Sequence, residues 1–133
     1  MSQEHVELVE TLWDAFQRGD IDTMRGASRS DIVIVQPSEV PDSKTYVGHE
    51  GVKEAVEDWP KEWGDFRFEV LEIIAISDSQ VVSVTRHHGR GAVSGIEVNT
   101  IIAYVLTITD GKFARIDMFV SREQALEAAG LSE

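Results

Sequence analysis

The sequence predicts an α+β fold in which a long, curved antiparallel sheet wraps around helices. Helical periodicity is confined to the first 63 residues and to the last dozen. Four strand-like segments follow one another between these regions, separated by the hairpin signals DS, SG and DG at 78–79, 94–95 and 110–111. Because consecutive hairpins build an antiparallel sheet, we expect the helices to gather on its concave face and to enclose a cavity there.

Two helices are predicted at the start of the chain. Residues 3–18 carry apolar side chains at helical spacing, namely Val6, Val9, Trp13 and Phe16, widened by Leu8 and Leu12. Gly19 is a typical helix stop, and Asp20 can cap a short second helix that runs to about residue 28.

A strand and a third helix follow. The segment DIVIV, residues 31–35, predicts a strand, and residues 37–47 read as a loop because they contain two prolines. Residues 49–63 have helical periodicity through Val52, Ala55, Val56, Trp59 and Trp63, with Pro60 expected to kink the last turn.

The remaining chain predicts four strands and a final helix. The strands span 66–77, 80–91, 97–109 and 112–120. SREQ, residues 121–124, matches a capping box, so a helix is expected from about 122 to 129, with Gly130 after it.

The amino-acid composition excludes or disfavours several classes of function. The 133 residues fit one domain spanning 1–133, and they include no cysteine, which excludes thiol chemistry and Cys-based zinc sites. Twelve Lys and Arg against 24 Asp and Glu give a net charge of -12, which disfavours a nucleic-acid partner. No segment has the length and apolarity of a membrane span or of a signal peptide. We therefore expect a cytoplasmic protein without membrane attachment, cofactor or metal.

TRHHGRG, residues 85–91, contains two arginines and two histidines in an otherwise acidic chain. If Ser94-Gly95 is a two-residue loop, Tyr104 pairs with Thr85 and Ile102 with His87. Thr85 and His87 would then point into the cavity. Because neighbouring strand residues point to opposite faces, His87 and His88 cannot chelate one ion, and Arg86, His88 and Arg90 are expected on the outer face.

The last hairpin admits two registers. A two-residue Asp110-Gly111 turn would point Asp117 inward, opposite Tyr104. A three-residue loop over 109–111 shifts the register by one. In that case Ile116, Met118 and Val120 face inward, whereas Phe113, Arg115, Asp117 and Phe119 face outward. The second register is preferred because it buries the apolar set.

Several strings resemble a known family. AFQRGDID, YVGHEGVKEAVEDW, GRGAVSGIEV and TDGKFARIDMFVSREQALEAAGL resemble the SnoaL-like branch of the nuclear transport factor two-like superfamily, which also contains ketosteroid isomerase. The resemblance covers nearly the whole chain. It implies a cone-shaped α+β fold with an apolar pocket, commonly assembled as a homodimer through the sheet.

The isomerase's catalytic groups are not retained. The position of its Asp base holds Gln36, the position of its first-helix Tyr holds Leu12, and the position of its oxyanion-hole Asp holds Tyr104. Since an amide cannot take up a proton, the resemblance argues against ketosteroid isomerisation. Tyr104 could still stabilise an oxyanion.

The sequence predicts a pocket for a small apolar molecule. Expected wall residues are Leu12, Phe16, Val52, Val56, Trp59, Ile102 and Met118, with the polar points Gln36, Thr85, His87, Thr100 and Tyr104. Three functions stay open: an acid-base isomerase, cyclase or hydratase with His87 as base and Tyr104 as acid or oxyanion donor, a non-catalytic ligand binder, and an interaction domain.

The outer sheet face predicts a homodimer. Ile101, Ala103 and Val105, joined by Phe113 and Phe119 in the preferred register, would form an apolar patch larger than monomers usually expose. A second copy is the simplest cover, with the outward basic side chains at its rim near Arg115 and Asp117.

Overall fold

The computed structural model describes residues 2–39, 43–61, 63–91 and 97–130, with side chains for 3–39, 43–58, 67–90 and 99–130. The helices are α1 (Ser2–Arg18), α2 (Ile21–Gly26), α3 (Gly48–Lys61) and α4 (Arg122–Ala128). The strands are β1 (Ser28–Val35), β2 (Thr45–Val47), β3 (Trp63–Ala75), β4 (Gln80–Gly91), β5 (Glu97–Thr109) and β6 (Lys112–Phe119).

The predicted elements are present, with differences at their ends. Asp20 and Ser121 cap α2 and α4 as predicted, each accepting a hydrogen bond from the backbone three residues on. The prediction that Trp63 ends the third helix is wrong, because α3 stops at Lys61 and Trp63 begins β3. The predicted loop 37–47 contains the short strand β2, which gains regular structure by pairing with β1.

The six strands form one mixed sheet in the order β2-β1-β6-β5-β4-β3. β1 and β6 are parallel, and the other neighbours are antiparallel. The inner face packs against the N-terminal helices in a core that includes Val9, Leu12, Ile32, Leu106 and Phe113. The predicted α+β fold, a curved sheet wrapped around N-terminal helices, is confirmed.

The predicted pairing of β4 with β5 is wrong by two residues. Thr85 pairs with Ile102 and His87 with Thr100, whereas a two-residue loop at Ser94-Gly95 would have paired His87 with Ile102. The described pairing ends at Arg90 and Glu97, and residues 92–96 lie outside the described part. Because a shift of two residues preserves strand faces, Thr85 and His87 still point inward.

The last hairpin combines features of both expected registers. Thr109 pairs with Lys112, so the turn has two residues, Asp110 and Gly111, both with positive φ, at 54° and 75°. A register shift follows, because Ile108 pairs with Phe113 while Thr107 pairs with Arg115, and this leaves Ala114 as an extra residue.

This bulge changes which side chains of β6 point inward. Ile116 is buried in the inner core and Met118 packs against it, as the preferred register predicts. The outward placement of Phe113 is wrong, since this residue precedes the bulge and is fully buried in the inner core. Val120 lies beyond β6 and is 36% exposed, so its inward placement is wrong as well.

The expectation that all helices lie on the concave face is wrong for α4. Ala125 is fully buried in a second apolar cluster on the outer face, which includes Val82, Val84, Ala103 and Val105. Arg122 ties the start of α4 to Glu72 of β3 through an Nε–Oε1 contact of 2.7 Å. Much of the outer apolar patch is therefore covered by the chain itself.

None of the described helices is long and apolar enough to cross a membrane.

Candidate functional site

A cavity of about 70 Å³ lies between the N-terminal helices and the inner face of the sheet. Seven of the predicted site residues line it, namely Leu12, Phe16, Gln36, Val52, Val56, Tyr104 and Met118. Its wall also contains Trp13, Met24, Ile34, Tyr46, Ala55 and Ile116. The surface that these residues present to the cavity is almost entirely apolar.

The wall draws on elements far apart in sequence. α1 and α3 place their apolar stripes over the sheet because both helices are amphipathic. Tyr46 was not among the predicted site residues, since the prolines around it indicated a loop. The triplet Thr45-Tyr46-Val47 has β-favouring side chains and is the signal that could have indicated a strand.

Four predicted site residues lie in the interior without lining this cavity. Thr85, His87 and Ile102 are buried on the inner face of the sheet. Thr100, on β5, is partly buried where it pairs with His87 of β4. The side chain of Trp59 lies outside the described residues.

His87 belongs to a buried polar cluster with Thr85 and Tyr104. The His87 Nε2 atom lies 3.2 Å from the Tyr104 hydroxyl and 3.1 Å from Thr85 Oγ1. The Thr85 hydroxyl donates to the carbonyl oxygen of Ile102 at 2.8 Å. Phe68 packs edge-on against the His87 ring, with the ring centroids 5.1 Å apart. The imidazole is thus enclosed by side chains rather than presented to the cavity.

Burial sets the protonation states of this cluster. Burial, and to a smaller extent the neighbouring His88, lowers the pKa of His87 to about 4. Burial also raises the pKa of the Tyr104 phenol above its usual value. Both groups are therefore neutral at pH 7, and their contact is a hydrogen bond between uncharged partners.

Most polar groups on the cavity wall are already engaged. The Trp13 indole N–H donates to Ser83 Oγ at 2.9 Å, and the Tyr46 hydroxyl donates to Asp58 Oδ2 at 3.3 Å. The Tyr104 hydroxyl contacts His87, as described above. These three wall residues consequently offer a ligand mainly their rings.

Gln36 differs from the other polar wall residues. Its Oε1 accepts a hydrogen bond from the backbone N–H of Lys44 at 3.0 Å, and its own backbone N–H donates to the Lys44 carbonyl at 3.3 Å. These contacts orient the amide, and its NH2 group has no hydrogen-bond partner among the residues that the structure describes. Gln36 therefore has an available amide donor beside the cavity, and an amide cannot act as a base.

The Gln36 side of the wall is braced by a charged cluster. Lys44 Nζ lies 3.0 Å from Asp58 Oδ2, 3.8 Å from Glu54 Oε2 and 4.7 Å from the centre of the Tyr46 ring. The hydrogen bond to Asp58 raises the pKa of Lys44, so the ammonium stays charged. Lys44, the residue before β2, thus links the start of that strand to α3 beside the cavity.

Within the described part of the chain, no three His, Asp or Glu side chains come together as a set of metal ligands.

Comparison with solved structures identifies chains of the same fold. An NTF2-like protein from Burkholderia xenovorans LB400 has 23% identity and a TM-score of 0.78, with 97% of each chain covered. TerC, co-crystallised with polyporic acid, has 21% identity and a TM-score of 0.76 over 96% of this chain and 98% of its own. A putative SnoaL-like polyketide cyclase from Jannaschia sp. CCS1 has 18% identity and a TM-score of 0.77 over 99% and 94%.

No curated protein gave a significant sequence match. The profile of the SnoaL-like domain matches residues 9–116, which is most of the chain. Together with the shared fold, this match shows that the chain belongs to the SnoaL-like domain family.

Proposed function

We propose that this protein binds a small, largely apolar molecule in the cavity between α1, α3 and the sheet. The observation that carries the proposal is the composition of the wall, which is almost wholly apolar and includes one residue with an amide side chain, Gln36. Ligand sites of this kind combine apolar contact with a few polar groups that set orientation. TerC, which shares the fold, was crystallised with polyporic acid, and this supports a small organic ligand here.

The ligand is expected to carry a hydrogen-bond acceptor such as a carbonyl oxygen. The Gln36 NH2 group would donate to that oxygen, because its other amide atom is engaged by Lys44. A cavity of about 150 Å³ accommodates benzene, so a ring-sized ligand requires wall side chains such as Phe16 and Met118 to move aside.

Acid-base catalysis is the second candidate, and it rests on the contact between Tyr104 and His87. Tyr104 lies on the wall, and its hydroxyl is 3.2 Å from His87 Nε2. A reaction would need that hydroxyl to turn from His87 and donate to a ligand oxygen, and it would need the imidazole to reach the ligand and take up a proton from it. The enclosure of His87 and the apolar wall favour binding over this chemistry.

The cavity can be tested by filling it. Naphthamide is a suitable probe because it combines an apolar ring system with a neutral carbonyl group. We expect calorimetric titration to show wild-type binding. Ala55→Phe should lower the affinity at least tenfold, because the new ring would occupy the space beside Val52 and Val56.

Glu57→Phe is the matched control, since it introduces the same ring at an exposed position of the same helix. This variant should bind naphthamide as the wild type does. Equal affinities of all three proteins would place the probe outside the cavity and contradict the proposal, as would a wild type that binds no apolar carbonyl compound.

A further inference from the structure

A surface groove adjoins the cavity where α1 ends beside β3. The groove is lined by Gln17, Arg18 and Gly19 from the end of α1 and by Arg67 and Phe68 from β3. Phe16 and Val56 line both this groove and the cavity. These two side chains therefore form the partition between the cavity and the outside, and displacing them would join the two spaces.

Arg67 is unusual among the eight arginines of the chain. The ion pairs of the described residues include six of them, namely Arg18, Arg25, Arg29, Arg86, Arg115 and Arg122. Arg90 also has an interaction partner. Arg67 is exposed and has no ion-pair or hydrogen-bond partner among the residues that the structure describes.

The lack of a partner at Arg67 stands out because acidic residues outnumber basic ones by 24 to 12. Arg18 lies in the same groove, but Asp14 and Asp20 hold it at 3.0 and 3.1 Å. A guanidinium presents a planar set of donors that matches a carboxylate. The groove thus combines an apolar route to the cavity with one cation that no described carboxylate neutralises.

We propose that this groove is the entrance to the cavity and that Arg67 selects organic anions. The occupant is a small apolar ring system with a carboxylate or another acidic oxygen group, which is separate from the acceptor that would meet Gln36. Its ring passes between Phe16 and Val56 while its anionic end stays at Arg67. This inference rests on the proposed binding function and adds the charge of the ligand and its direction of entry.

The test compares naphthoate with naphthamide, which have nearly the same size and differ in charge. We expect wild-type protein to bind naphthoate about fivefold more tightly than naphthamide, the effect of one exposed ion pair. Arg67→Gln should remove this preference by weakening naphthoate alone, and Arg67→Lys should restore part of it. High salt should reduce the wild-type preference because the groove is open to solvent.

Lys112→Gln is the matched control, since it removes one positive charge at an exposed position outside the groove. It should leave the naphthoate preference unchanged. Equal binding of the two probes by wild type, or equal effects of Arg67→Gln and Lys112→Gln, would overturn the inference while leaving cavity binding intact. Failure of both probes to bind would overturn the proposed function and this inference with it.

Discussion

His87 couples the protonation of a single residue to the stability of the fold. Its imidazole is buried with Thr85 and Tyr104 on the inner face of the sheet, and its pKa falls to about 4. In the unfolded chain the same group has a pKa near ~6.5. Between these two values the unfolded state binds more protons than the native state, so stability decreases as the pH falls through this window.

Acidification from pH 7 to pH 5 should reduce the free energy of unfolding through His87 by about 2 kcal/mol. His87→Gln removes this titration, so the loss of unfolding free energy between pH 7 and pH 5 should be smaller in the variant by that amount. Urea unfolding of both proteins at the two pH values measures the difference, and the contribution of the carboxylates cancels in the comparison. Parallel pH profiles for wild type and variant would mean that the native imidazole is not desolvated.

The contact between α3 and β2 determines where Tyr46 meets the cavity. A Cβ atom at Gly51 would lie 2.9 Å from the backbone carbonyl carbon of Tyr46 and 3.0 Å from its Cβ. Glycine therefore allows the helix to approach the strand closely. This approach brings the Tyr46 ring to the wall and its hydroxyl to Asp58 on the same helix.

Gly51→Ala should destabilise the protein by about 1–3 kcal/mol, because the added methyl group forces the backbone of β2 away from α3. It should also weaken naphthamide binding, since Tyr46 would shift with the strand. Thermal unfolding and calorimetry measure the two effects. Gly26→Ala is the control, because a Cβ there meets nothing within 4 Å, and it should be neutral or slightly stabilising. A stable Gly51→Ala variant would refute the close approach.

At the scale of the whole molecule, α4 covers part of the outer sheet face through which a dimer was expected. Ala103 and Val105 were expected to be covered by a second copy, but they are buried in the cluster that α4 completes. Two of the outward basic side chains expected at the dimer rim also have partners in the same chain, since Glu69 lies 3.9 Å from Arg86 and 3.4 Å from His88. The Arg115 guanidinium pairs with Asp117 at 2.9 Å.

A homodimer through the outer face stays a prediction, now centred on Ile101, which is only partly buried against the outer apolar cluster. Light scattering at micromolar concentration should give twice the 14.8 kDa chain mass. Ile101→Glu should shift the protein towards monomer, because it would bury an unpaired charge at the interface.

Val47→Glu is the control for the dimer, since Val47 is 62% exposed on β2, an edge strand that lies three positions from the β5 strand of Ile101. It should leave the mass unchanged. A wild-type mass of one chain at high concentration would refute the dimer and would assign the cover of this face to α4 alone.

Local sequence patterns, namely periodicity and capping residues, predicted the fold class, the two caps and seven of the thirteen residues that line the cavity. These features depend on local spacing. The apolar stripe of α1, for example, places Leu12 and Phe16 on the same side of the helix, and both line the cavity. The inward direction of Thr85 and His87 was also predictable, because alternation along a strand survives a pairing error of two residues.

Only the tertiary structure decided what those side chains meet. The two-residue turn at Asp110-Gly111 places Phe113 inward, β2 brings Tyr46 to the wall, and α4 crosses to the outer face. The tertiary structure also encloses His87 behind Phe68 and Tyr104, and it places Arg67 in the groove beside the cavity without a carboxylate partner among the described residues. Each of these outcomes depends on contacts between segments distant in the chain, whereas periodicity reports only how neighbouring residues are oriented.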